Sequence, residues 1–332
     1  MSETTFAGNA RRGSRLVFAG RLGVGILLLV LVVGRVGVRE PWRLLSCADP
    51  GLLAGAVAFY VLMFLIKTLR WRSMLLNRRI AVSFPRALEL YLFSSLCGAF
   101  TPGRVGEALR AILPAREQKR YAESLACTAV DKAFDAALLA LLLIAASRSR
   151  LLSTGESRAL FLSGAALAAL MAAGYGAARA IARRGIRLHR AVARLLPVSL
   201  RRMLEEQPDR FLSSGLACVR DKWVSAAALT ALFWLAHVGC HYLILLSLGG
   251  SMDPWYFVLC LTLAGLVEFL PVTICGLGTR EYLLVLLFEK AGLGDDMALA
   301  FALMNIVFTY AVTGILTMVV HCIRTGFGNA GN

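Results

Sequence analysis

The stretch that most restricts what this chain can become is residues 88–113, LELYLFSSLCGAFTPGRVGEALRAIL, an apolar run interrupted by Thr101-Pro102-Gly103-Arg104. Proline removes a backbone donor and clashes with the preceding turn, and glycine admits conformations that other residues avoid. A helix entering here is predicted to stop at Phe100 and restart near Gly103, with Gly106, Glu107 and Arg110 on the restarted arm. Inside hydrocarbon, freed backbone groups and charges are tolerated only where protein or a water-filled cavity surrounds them. Each central Arg or acid costs about 2.5–3.5 kcal/mol on insertion scales, so such charges mark a candidate functional site. A second stretch of the same kind, PVTICGLGTREYLL, runs from Pro271 to Leu284, with Gly276 and Gly278 at the break and Arg280 and Glu281 after it. Two broken apolar segments in corresponding halves of a chain point to a transport site.

Such segments make sense only in a membrane, and the composition agrees. Of 332 residues, 58% are hydrophobic and 17% charged, with mean hydropathy +0.69. A soluble domain is nearer a quarter charged. The net charge of +16 sits mainly in loops flanking apolar segments, as in cytoplasmic loops of membrane proteins, so nucleic acid is not an expected partner. Eight cysteines are scattered without CxxC spacing, so neither a disulfide framework nor a metal site is expected. No nucleotide loop, nucleophile elbow, dinucleotide fingerprint or zinc motif occurs, so we expect no cofactor, no metal and no enzymatic activity. The arginines at 11, 12 and 15 before an apolar run resemble a signal peptide, but further spans follow and the run reads as an uncleaved first span.

The expected spans are 16–34, 51–69, the broken segment 88–113, 124–146, 159–178, 224–248, a broken region 255–290, and 297–321. The basic loops Lys67–Arg86 and Pro114–Glu123 should both be cytoplasmic, so the first broken segment enters and leaves on one side. Each arm is about a dozen residues, against about 20 for a full span, which makes it a re-entrant hairpin. The basic linker 179–222 should lie inside, with apolar residues at helical spacing that suit anionic inner-leaflet lipids. The connector Gly249–Pro254 lacks Lys and Arg and should lie outside. The fold expected is therefore an all-α polytopic membrane protein, with about six full transmembrane helices and two broken re-entrant hairpins in an inverted repeat. Repeat one covers about 51–146 and repeat two about 224–321, within one domain 16–323 flanked by cytoplasmic tails 1–15 and 324–332. The expected location is the bacterial inner membrane.

The candidate binding residues follow from this layout. Arg104, Glu107 and Arg110 share a face of the first restarted helix, whose free backbone donors would form an anion site. The second hairpin offers Glu268, Arg280 and Glu281. The span after the first hairpin supplies Asp131, Lys132 and Asp135. Asn305 stands 25 residues after Arg280, much as Asp131 stands 27 after Arg104. Two readings stay open: a substrate-lined polar cavity, or an ion network that pins the hairpins together. His237 and His241 lie four apart on one span and read as buried hydrogen-bonding histidines rather than metal ligands. Trp42, Trp71, Trp223 and Trp255 fall near span ends, as interface anchors do, and Trp234 should be buried.

TPGRVGEALRA followed by a span containing VDKAFD resembles the first signature of the lysylphosphatidylglycerol synthase transmembrane-region, or flippase-like, family. LPVTICGLGTREYLL is similar to its second signature, with Ile274-Cys275 in place of Pro-Gly and Asp131-Lys132 in place of a Glu-Arg pair. The resemblance spans roughly residues 20–322 and implies movement of a polar-headed lipid across the membrane: a glycolipid, a polyprenyl-phosphate-linked sugar, an aminoacylated phospholipid or a hopanoid type. No aminoacyl-transferase domain is present, so this chain should not itself make lysyl lipid. The rival expectation is a non-catalytic subunit that scaffolds a lipid-modifying or glycosyl transferase. A homo-oligomer is a further candidate assembly.

Overall fold

A computed structural model describes residues 23–329 apart from 25, 26, 28, 29, 32, 150, 185–206, 270–272, 274 and 275. All regular structure among the described residues is helical. That is the physical solution for an apolar chain in lipid, where a helix satisfies its backbone internally. The described residues between 23 and 36 are helical, and the expected tail 1–15 lies outside the description. There follow α1 (Arg39–Ser46), α2 (Pro50–Asn77), α3 (Phe84–Ala99), a tight 3-10 segment (Pro102–Ala108), α4 (Leu109–Gln118), α5 (Tyr121–Ala146) and α6 (Thr154–Arg184). The second half comprises α7 (Pro208–Ser247), α8 (Pro254–Phe269), α9 (Thr279–Lys290), α10 (Asp295–Val307), a π turn (Phe308–Val312) and α11 (Thr313–Asn329).

The centre of the bundle is the antiparallel pair α2 and α7. Glycines let them approach: a Cβ on Gly55 would meet Leu243 at 3.2 Å, and one on Gly239 would meet Phe59 at 3.3 Å. Small residues are the usual means of close helix approach in membranes. Around this seam Tyr60, Trp234, Cys240, Ile244, Phe257 and Phe301 form the buried apolar core. Among the described residues, four helical stretches are long and apolar enough to cross a bilayer: 50–77, 154–181, 209–247 and 295–326. The protein is an all-α integral membrane protein. α5, 26 residues long, carries Glu123 in its first turn and a central cluster of Asp131, Lys132 and Asp135, and is apolar from Ala136 to Ala146.

Several expected boundaries move. The span 51–69 continues to Asn77, so Lys67, Arg70 and Arg72 belong to a helix rather than to a cytoplasmic loop. The linker 179–222 is helical at both of its described ends, with residues 179–184 in α6 and 208–222 in α7, and 185–206 outside the description. At 40 residues α7 is about 60 Å long, twice the hydrocarbon thickness, so it projects beyond a bilayer. Trp71 is fully buried and donates to Thr128 Oγ1 at 3.1 Å, whereas Trp42, Trp223 and Trp255 are exposed as interface anchors would be.

Both broken segments double back. Gly106 lies against Cys97 and Gly98, and Gln118 at the end of α4 donates to Ala81 O just before α3. The first therefore enters and leaves at one end of the bundle, where Arg78 also meets Asp221. In the second, Tyr256 in α8 donates to Leu287 O in α9, while Gly276 packs on Glu268 at the far tip. Its open end is the opposite one, where Asp49 N bonds Ser247 O at 2.9 Å and Lys290 meets Glu156 at 2.5 Å. The first arm of each hairpin packs on the helix that follows the other hairpin, α3 against α11 and α8 against α5.

Candidate functional site

The two hairpin tips meet inside the bundle. In the first, Thr101 Oγ1 accepts from Gly106 N at 2.8 Å and donates to Cys97 O, closing the reversal. Arg104 sits there in the left-handed region with φ +56°, uncommon for a residue with a Cβ. Its guanidinium reaches Glu268 of the second tip at 2.5 Å, and Glu268 also takes Arg280 at 2.8 Å. Gly276 at φ +74° and Gly278 at φ +81° make the second turn, which side chains would strain. One backbone donor at each restart is taken by a side chain: Gly106 N by Thr101, and Gly278 N by Glu281 Oε2 at 2.6 Å.

Behind the tips runs a continuous ion network. Arg70, buried on α2, pairs with Asp131 at 2.7 Å and Asp135 at 2.8 Å on α5, and donates to Thr230 Oγ1 on α7 at 2.6 Å. Asp131 also takes Arg110 at 2.8 Å, whose guanidinium lies 4.2 Å from the Tyr91 ring centroid. Lys67 meets Asp135 at 3.1 Å and stands 4.1 Å from the Phe233 ring. Glu107 bridges Lys132 and Arg104, the latter at 3.4 Å. Glu281 holds Arg280 at 2.9 Å. Among the described residues the network contains six cations (Lys67, Arg70, Arg104, Arg110, Lys132, Arg280) and five carboxylates (Glu107, Asp131, Asp135, Glu268, Glu281).

In front of it lies a cavity of about 170 Å³. Its charged wall is Lys67, Arg104, Lys132 and Arg280 against Glu107 and Glu268. Behind them Asp135 is the counter-charge of Lys67 and Glu281 that of Arg280, while Asp131 pairs with Arg70 and Arg110 away from the cavity. The wall facing the cavity is therefore more positive than the network as a whole, an arrangement suited to an anion that can bridge cations. His237, His241, Asn305, Ser95, Thr309 and Thr313 add to the polar lining, with Tyr60, Phe64 and Phe233 as apolar wall. Asn305 donates to Phe301 O in its own helix. The His237 and His241 rings lie 4.2 Å apart, and His241 Nδ1 is 2.8 Å from His237 O.

Of the residues singled out from sequence, Arg104, Glu107, Lys132, Glu268, Arg280 and Asn305 come together on the cavity wall. Arg110, Asp131, Asp135 and Glu281 are buried behind it. Pro102, Gly103 and Gly106 fall in the 3-10 segment, Gly276 and Gly278 in the second turn, and Pro271 lies outside the described residues. Sequence reasoning missed Lys67 and Arg70, because the first cations after an apolar run look like the end of a span. Tyr60, Met63, Phe64, Lys67 and Trp71 recur at helical spacing, and that was the available signal. Sequence reasoning read His237 and His241 as buried hydrogen-bonding histidines, and both also line the cavity.

Comparisons with known proteins agree with an integral membrane protein. A UPF0104 membrane protein of Methanothermobacter thermautotrophicus is 25% identical over 346 aligned positions, covering 96% of each chain. Glycosyltransferase AglD of Haloferax volcanii is 27% identical over 333 positions, which are 90% of this chain but only 53% of that relative. The family model for the lysylphosphatidylglycerol synthase TM region matches residues 18–316, nearly the whole length, including both broken segments. This chain belongs to the lysylphosphatidylglycerol synthase TM region family.

Proposed function

We propose that this protein translocates a lipid with a polar, anion-bearing headgroup, and that the cavity between the hairpin tips receives that headgroup. The observation that carries the reading is the cation-rich wall midway between the two ends of the bundle, at the junction of two broken hairpins. Charges at such depth are expensive unless used. Arg104 and Arg280 hold the anionic part of the headgroup, and Glu268, which now bridges them, releases one of them as the headgroup binds. The acyl or isoprenoid chains stay in lipid beside the hairpins. Both hairpins are re-entrant, and the exchange of packing partners between halves supports an inverted repeat. The end bearing residues 77–86 and 118–120 is cytoplasmic, since it gathers Arg78, Arg79, Lys119 and Arg120.

The test is native mass spectrometry of the detergent-purified protein, wild type beside Arg104→Ala with Arg280→Ala, paired with lipid movement in vesicles. One discrete lipid kept by wild type and lost in a folded double variant, together with lost movement, is the expected result. Bulk phospholipid held equally by both proteins would sink the reading. A second reading is a membrane subunit that serves a lipid or glycosyl transferase, favoured by the likeness to about half of a protein named glycosyltransferase AglD. Stability that depends on one co-purifying transferase, with no lipid movement by the protein alone, would support it.

A further inference from the structure

The seam between α3 and α11 has two sides. One side faces the cavity through Ser95, Thr309 and Thr313. The next residues along, Leu96, Gly314 and Thr317, face outward and line a groove of about 400 Å³. Up the groove run the apolar Leu90, Phe93 and Met318, with Phe93 42% and Met318 70% exposed. At the bundle end it opens on Arg86, Glu89 and His321. Glu89 gathers Arg86 at 2.8 Å, Arg324 at 2.6 Å and His321 at 2.6 Å. Two guanidiniums thus face one carboxylate, and Arg86 keeps 40% of its side chain exposed. Arg86 lies in the first turn of α3, where Ser83 gives no side-chain cap and the helix end adds positive potential.

We infer that this groove is a binding site for an anionic phospholipid, its phosphate on Arg86 and Arg324 and one acyl chain between Phe93, Leu96, Gly314 and Met318. The charge and the apolar length are complementary to such a lipid in one arrangement only: head at the bundle end, chain towards the hairpin tip. Each guanidinium carries five donors, of which Glu89 uses few, so phosphate binding leaves the seam closed. A single helix seam separates the seated lipid from the cavity. That seam is fastened at its inner end by Tyr310, which donates to Ala99 O at 3.2 Å from the π turn between α10 and α11. The groove's role as the side entrance to the cavity rests on the translocation reading, whereas the binding site does not.

The site is tested with the full chain in phosphatidylcholine vesicles, using Phe93→Trp as reporter and subtracting the signal of the native tryptophans. Brominated phosphatidylglycerol should quench the new tryptophan with about five-fold preference over brominated phosphatidylcholine, the ratio expected for one net charge at a membrane surface. Arg86→Gln with Arg324→Gln should equalise the two lipids. Gly314→Leu, placed where a Cβ meets nothing within 4 Å, should fill the groove and reduce quenching by both in a folded protein. Equal quenching by the two lipids in the reporter protein overturns the inference, as does a preference that survives loss of both arginines or quenching untouched by Gly314→Leu. The readout needs no transport: the preference, found in a protein that moves no lipid, would uphold the site and remove only its role as an entrance.

Discussion

A single missing methyl group holds the first hairpin closed. A Cβ on Gly106 would stand 2.5 Å from both the carbonyl carbon and oxygen of Cys97, and neither can yield because both are backbone. Gly106→Ala should therefore destabilise the fold by about 3 kcal/mol, at the upper end of overpacking costs, and lower the unfolding midpoint in detergent. Gly174→Ala, where nothing lies within 4 Å, should leave that midpoint unchanged or slightly raised. Glycine at 106 was readable as a break residue. What made it indispensable, the return of the chain onto Cys97, was not.

Arg70 ties three elements at once, pairing with Asp131 and Asp135 on α5 and with Thr230 on α7. Removing one partner of a buried pair leaves uncompensated charge, so Arg70→Ala should cost about 3–5 kcal/mol. Arg220→Ala, at an exposed pair with Asp221, should cost less than about 1 kcal/mol. Denaturant or thermal unfolding of the two variants side by side checks the contrast, and equal effects would remove the network from its structural role. The same network explains how α2 can run to Asn77. Lys67 and Arg70 end a span on hydropathy alone, yet inside the bundle each meets a carboxylate from a helix more than sixty residues away.

At the scale of the molecule, the hairpins open at opposite ends and their tips meet between them. With the exposed Cys47 and Cys322 replaced by Ala, Arg79→Cys and Lys119→Cys should react with an impermeant thiol reagent from the same face of sealed vesicles. Ser251→Cys should react only from the other face. Labelling of Arg79→Cys and Lys119→Cys from different faces would mean that the first broken segment crosses the bilayer, and the midplane placement of the cavity would fall with it.

The sequence by itself determined the class of structure, because long continuous apolar runs satisfy their backbone in lipid as helices, whereas barrel strands would alternate apolar and polar residues. It determined where the two breaks fall, because Pro102 and the glycines act through neighbouring backbone. It also singled out five charged residues of the cavity wall, since a charge in an apolar run is conspicuous, and Asn305 by its spacing from Arg280. Only the tertiary structure decided which charge meets which. Arg104 finds Glu268 across 164 residues and Arg70 finds Thr230 across 160, and no local pattern specifies such partners. Which cations face the cavity and which carboxylates stand behind them is a property of packed helices, because burial and counter-charge are set by neighbours distant in the chain.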